Sequence, residues 1–201
     1  MIDDLDKTLE TLLKRELPAL VSQVTISFAA PDAQFPPSSV TLPAINLFLY
    51  DVHENRDLRT NEWVVEPAGN GAVARRRAPA RVECAYLITA WAGTGVTNPA
   101  QEEHGMLGAV MRVLLRYPTI PADVLQGSLR GQQPALPTSA LQQPTNLQSL
   151  GEFWQALGGK PRAVLNYTVT ISVETAEPVE APLVLERELR MEPPDLDEET
   201  P

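Results

Sequence analysis

Two histidines, one cysteine and 26 carboxylates bound the chemistry that these 201 residues could carry. A helical zinc hydrolase needs a second histidine four residues after its His-Glu pair, so that both rings share one helix face. His53-Glu54, in DVHEN, has none. The run Glu102-Glu103-His104 offers ligand types, but adjacent residues do not share a face and so do not converge on one ion. An acidic first helical turn with a surface histidine accounts for them. Cys84 lies between apolar neighbours mid-strand, where a thiol acts as a small buried hydrophobe rather than a nucleophile. No Gly-x-Ser-x-Gly occurs, and the glycine pairs at 69/71 and 93/95 lack the rest of any phosphate loop. No pair of carboxylates stands out as acid and base. The residues predict a protein that is not an enzyme and that holds no metal or cofactor.

The elements that carry these residues are legible from periodicity. Ile2, Leu5, Leu9, Leu12, Leu13 and Leu17 follow helical spacing, and Pro18 stops the run. Val24 to Phe28 reads as a short strand, and Val40 to Asp51 as a buried strand paired on both sides. Glu66 to Pro79, rich in Gly, Ala and Arg, reads as a mobile loop or a hairpin tip. Arg81 to Trp91 alternates and then turns wholly apolar, as in a strand solvated at its start and buried at its end. With Val40 to Asp51 it makes an extended hairpin.

Asn98-Pro99 opens a helix whose apolar face runs from Met106 to Tyr117, closed by Pro118 and Pro121. The stretch to Pro144 is loosely specified, above all Gly131 to Pro144. Leu147 to Leu157 is a further helix capped by Gly158-Gly159. Ala163 to Glu174 is the cleanest alternating strand, and Leu183 to Met191 a last one. The order predicts an α+β fold: a mostly antiparallel or mixed sheet with helices packed on it, an extended hairpin and a C-terminal arm. The expected division is a domain over residues 1–175 and an acidic, Pro-rich arm over 176–201.

A lone cysteine excludes an internal disulfide framework and suits a reducing compartment. No window approaches 18 apolar residues, so no membrane span is expected, and MIDDLDKTLE does not read as a secretory signal. The formal charge of -10 is concentrated at one end: from Glu174 onward, ten carboxylates face only Arg187 and Arg190. Such an end repels nucleic acid. The basic cluster Arg75, Arg76, Arg77 and Arg81 reads first as a solvated loop. INLFLYDVHENRDLR, Ile45 to Arg59, passes from a buried strand straight into charges with no Gly or Pro between.

That block is followed in order by YLITAWA (86–92), EEHGMLGAVMRVLLRYPTIP (102–121) and LGEFWQALGGKPRAVLNYTVTISVE (150–174). The succession resembles the N-terminal domain of the tail cap, or tail terminator, proteins of phage-tail-like contractile injection systems of the antifeeding prophage and Photorhabdus virulence cassette type. The resemblance covers about residues 1 to 175. It implies a tail-terminator-like fold and a structural protein that forms a ring with itself, six-fold as is usual in the family. The ring would sit on the last layer of inner tube protein and sheath protein and end polymerisation. It also implies assembly in the bacterial cytoplasm at the distal end of the particle. In that setting Asn55, Arg56, Asp57, Leu58 and Arg59 would protrude at a subunit or tube contact. Arg75, Arg76 and Arg77 join them as interface candidates, as do Leu183, Val184 and Leu185 in an arm that could add a strand to a neighbour's sheet. Some relatives carry a further C-terminal domain where this chain has an acidic tail. Two other readings compete: a small enzyme or metal-binding protein using His104 with Glu102 or Glu103, and an adaptor that tethers the particle through Pro193 to Pro201.

Overall fold

In the computed structural model, which describes residues 1–18, 23–69, 72–141 and 150–182, the leucine ladder near the start forms α1, Ile2–Glu16. Leu5, Leu9, Leu12 and Leu13 are wholly buried. Asp3 and Asp4 in the first turn and Lys14 and Arg15 in the last suit the two ends of the helix dipole. Leu17 is already extended, and Pro18 offers no amide to continue the helix.

The chain divides into two units, residues 1–59 with 79–173 and residues 60–78 with 174–201. The larger holds a five-stranded mixed sheet. β2, Ala44–Glu54, lies between β1, Thr25–Ser27, which is parallel to it, and β5, Ala80–Trp91, which is antiparallel. β7, Leu165–Val173, pairs with β5 and with β6, Thr138–Ala140, giving the order β1-β2-β5-β7-β6. α1 and α2, Pro99–Arg116, join one core with the sheet: Val110, Val113 and Leu114 with Ile45, Leu47, Tyr86, Ile88, Val169 and Ile171. The short α3, Leu150–Ala156, sets Phe153 6.2 Å from Phe48, whose strand position is opposite in parity to Ile45 and Leu47.

The expected looseness between Pro118 and Leu141 is incorrect. Two turns of 3-10 helix, at Ala122–Val124 and Gly127–Leu129, bury Val124 and Leu129, and Leu136 is buried as well. Gln132 acts as a substitute strand neighbour: its Nε2 donates to the Ser172 carbonyl at 2.8 Å, and its Oε1 accepts from the Ser172 amide at 3.1 Å. Polar composition hid this order, because a glutamine amide carries the same donor and acceptor as a peptide. Leu183 to Met191 and the first part of the Leu147 helix fall outside the described residues.

The smaller unit holds a three-stranded antiparallel sheet, β3 (Trp63–Gly69), β4 (Ala72–Arg77) and β8 (Val179–Pro182), with β4 in the middle. Glu66 to Pro79, expected as a mobile loop or a hairpin tip, instead falls in a hairpin of its own, whose strands reach back to Trp63. The valines and Trp63 favour the pleat, and the arginines divide between its two faces, Arg75 and Arg77 on one and Arg76 on the other.

Asp4 pins the 3-10 turn to α1. Its Oδ2 accepts from the Ser128 hydroxyl at 2.7 Å and from the Ser128 amide at 3.0 Å. These donors, the hydroxyl first, hold the carboxyl below the usual aspartate range, and the amino terminus 3.2 Å away adds to this. A depressed carboxyl contributes stability that is complete above its unfolded value and is lost as pH falls through its folded value. Melting temperature should therefore drop as pH falls through the ordinary aspartate range and below it. Asp4→Asn should melt lower at neutral pH and lose less over that range. The flattening is partial, since Asp3, Glu16 and Asp123 are also held low by their cationic or hydroxyl partners.

Candidate assembly surfaces

The change from apolar to charged along β2 has a geometric cause. The register steps at Tyr50: Leu49 faces Tyr86, but Asp51 faces Ala85. A bulge of one residue reverses which side chains point to the core. Without it Asp51 would follow Ile45, Leu47 and Leu49 toward the helices. With it, Asp51 and His53 share a face with Ala85 and Glu83. His53 Nδ1 lies 3.0 Å from Asp51 Oδ2, and its Nε2 lies 3.4 Å from Glu83 Oε2.

Beyond Glu54 the chain makes one turn of 3-10 helix, Arg56–Leu58. Asn55 fixes it from both sides. Its Oδ1 accepts from the amides of Asp57 at 3.0 Å and Leu58 at 3.1 Å, while its Nδ2 donates to Glu83. Its own amide donates to the Arg81 carbonyl at 2.8 Å. The asparagine is therefore a capping residue more than a contact residue. What it presents is Arg56, Asp57 and Leu58, all exposed, with Leu58 47% exposed. Arg59 is turned back to Glu54 at 3.2 Å. The Arg56 and Asp57 side chains have no hydrogen bond or ion pair among the described residues.

The arginine cluster separates by face. Arg81 is buried at the start of β5 and donates to the Ser172 hydroxyl, and burial lowers its pKa. That corrects the solvated-loop reading for this residue. Arg76 is bracketed by Glu66, at 2.9 Å, and Glu174. Arg75 and Arg77 stand opposite Val65 and Trp63, and both guanidinium groups lie over the Trp63 ring, 5.3 and 5.7 Å from its centre. The candidates thus fall into two groups, 55–59 in the larger unit and 75–77 in the smaller; Leu183, Val184 and Leu185 lie outside the described residues. In the sequence Trp63, like Trp91 and Trp154, reads as a core or interface anchor; Val65 and Val179 do not stand out there, although the alternation of Trp63, Val65 and Pro67 is readable.

The groups that suggested chemistry are engaged structurally. Glu102 accepts from the Gly93 amide at 3.0 Å, and Glu103 from the Ala92 amide and from Arg162 at 2.7 Å, tying α2 to the end of β5. Cys84 is wholly buried, and burial pushes its thiol up to about 11, away from thiolate chemistry. A cleft of about 300 Å³ is lined by Phe35, Trp91, Trp154, Asp32, Lys160 and Arg162. There Arg162 stacks 3.7 Å over Trp91, and Asp32 accepts from the Gln34 amide. Among the described residues no group of His, Cys, Asp and Glu is arranged to hold a metal ion, and no helix is long and apolar enough to cross a membrane.

The surfaces are a capped, charged corner and an arginine–tryptophan sheet face, both suited to protein contact. Residues 4–187 match the model of the family described as Pvc16 N-terminal domain. The chain belongs to that family. A comparison with the curated proteins returns no match. Among solved structures, this Pvc16 N-terminal domain is similar to the sheath/tube terminator, in its extended state, of the PVC extracellular contractile injection system. The TM-score is 0.69 and the identity 26%, over 96% of this chain and 64% of that one. It is also similar to the tube-terminating cap of the anti-feeding prophage, with TM-score 0.63 and 27% identity over 96% of this chain and 62% of that one. The chain spans less than two thirds of either protein. Both are terminators of contractile systems, and their α+β fold, a mixed sheet with helices on it, is the one described above.

Proposed function

We propose that this protein caps a contractile injection system: it binds the last layer of inner tube and sheath and ends their growth. The observation that carries this reading is the similarity of 96% of the chain to two terminators, at 26% and 27% identity. The protein acts by binding and not by turnover. It forms a closed ring with copies of itself, six-fold as is usual in the family, in which each subunit presents one surface to the next. The ring assembles on the particle inside the bacterial cell.

Within it, the Asn55–Arg59 corner sets register between subunits or with the tube. Arg56 and Asp57 are exposed charges without partners among the described residues, and such charges tune orientation and specificity more than raw affinity. The small sheet supplies the second contact. β8 pairs with β4 from Val179 to Pro182, the last of the described residues. Leu183, Val184 and Leu185 are proposed to add a strand to an open edge of a neighbouring sheet, covering backbone groups that a growing assembly leaves unpaired. Particle length in cells lacking the gene tests the capping role.

A further inference from the structure

One face of the small sheet has a composition that the described residues leave unanswered. The register places Trp63 and Val65 on β3 beside Arg77 and Arg75 on β4, and Arg75 beside Val179 on β8. Alternation puts all five side chains on the same face. Trp63 is 48% exposed, Val65 55% and Val179 62%, so two neighbours on β3 and, across Arg75, one residue on β8 lie open. On the opposite face Arg76 is neutralised by Glu66 and Glu174. Arg75 and Arg77 have no carboxylate partner among the described residues; they lie over the indole of Trp63. A guanidinium stacked on an indole still has its in-plane N–H donors free, which is the geometry for receiving a carboxylate. The face therefore matches an extended segment that carries several carboxylates together with proline or leucine. Proline rings pack on aromatic faces, and carboxylates pair with the arginines beside them.

The chain itself contains such a segment: Glu192-Pro193-Pro194-Asp195-Leu196-Asp197-Glu198-Glu199. We propose that the Trp63–Arg75–Arg77 face is a docking surface for this segment of a second copy of the chain. The inference rests on the reading of the protein as a ring of like subunits, and it names what one subunit gives to the next. The ring reading, in which each subunit presents one surface to the next, makes a second copy the occupant. Trp63 and Arg77 mark the base of the β3–β4 hairpin, whereas β8 leaves the sheet at Pro182, opposite Ala72 near the tip. From Ala72 to Arg77 is about 17 Å of strand, a span that the nine residues between Pro182 and Glu192 can also bridge, so truncation after Met191 distinguishes the same copy from a second.

A fluorescently labelled peptide of residues 192–199, blocked at both ends, titrated into the full-length protein tests this. Saturable binding is expected, weakened about tenfold by raising salt from low to near molar concentration, since exposed ion pairs are screened. A peptide with amides in place of its carboxylates should bind at least about tenfold more weakly, as should the Arg75→Glu, Arg77→Glu protein. Trp63→Ala, at an exposed position, should melt like the parent and bind at least about fivefold more weakly. A protein truncated after Met191 should bind the peptide as the parent does. If truncation instead tightens binding severalfold, the segment competes from its own chain and the second-copy assignment is wrong. Equal affinity for the amidated peptide, or no binding at all, overturns the proposal. The assay is independent of capping. Absent binding alongside overlong particles in the deletion strain would remove this contact and leave the cap, whereas binding alongside normal particles would do the reverse.

Discussion

Trp154→Ala is expected to lower the free energy of unfolding by about 4 kcal/mol. Trp154 is 1% exposed and among the largest side chains buried in the chain. It meets Phe153 edge-on at 5.8 Å, and Phe153 in turn reaches Phe48 and Tyr50 of β2 at 6.2 and 6.4 Å. The site has little freedom to collapse onto the gap. Gly159 passes so close that an added Cβ would lie 3.1 Å from Trp154 Cε3 and 3.1 Å from the Pro31 carbonyl. Gly158 turns the chain there with a φ of +67°, a conformation that glycine adopts without strain. Small domains are stable by about 5–15 kcal/mol, so this loss removes about a quarter or more of the total. Equilibrium denaturation should show a large fall in midpoint with an unchanged slope. Trp63→Ala, half-exposed on the small sheet, should shift the same midpoint by less than about 1 kcal/mol. A loss at Trp154 as small as that at Trp63 would mean that α3 is not packed as described.

The double variant Arg56→Glu, Arg59→Glu should have the opposite signature. Arg56 has no described partner, and Arg59 has only Glu54, at 3.2 Å on the surface. An exposed pair of this kind contributes at most about 1 kcal/mol, so the variant should fold and melt nearly as the parent does. Reversing two charges at a contact that sets register puts like charges together and should prevent orderly ends on the particles. Electron microscopy of particles made with the variant should show irregular length at normal levels of folded protein. Particles normal in number and length would show that the 55–59 corner is not an interface.

The α+β fold was readable where one face of an element is buried and the other is not. The Leu5–Leu13 ladder became α1, Asn98-Pro99 opened α2 at Pro99, and the alternation from Ala163 became β7 at Leu165–Val173. Reading failed where side chains do the work of backbone. Gln132 pairs with Ser172 as a strand would, and Asp4 anchors Ser128, so a stretch that looks like linker is held in place. The bulge at Tyr50 was equally hidden. It leaves no mark except the abrupt change from LFLY to DVHEN, which was noticed without its geometric cause. At the candidate surfaces, the exposed charges of 55–59 were found because they interrupt an apolar strand. Arg75, Arg77 and Trp63 each stood out in the sequence, but the face they share with Val65 and Val179 did not, because its residues come from three strands, one of them far along the chain, and only the register brings them together.

Capping is tested most directly by the length of sheathed particles, seen in negative stain, in a strain lacking this gene and in the same strain with the gene restored. The account predicts overlong, ragged or absent particles without the gene, and a return to uniform length with it. Particles of normal number, length and end shape in its absence would contradict the account and reduce the similarity to terminators to one of fold.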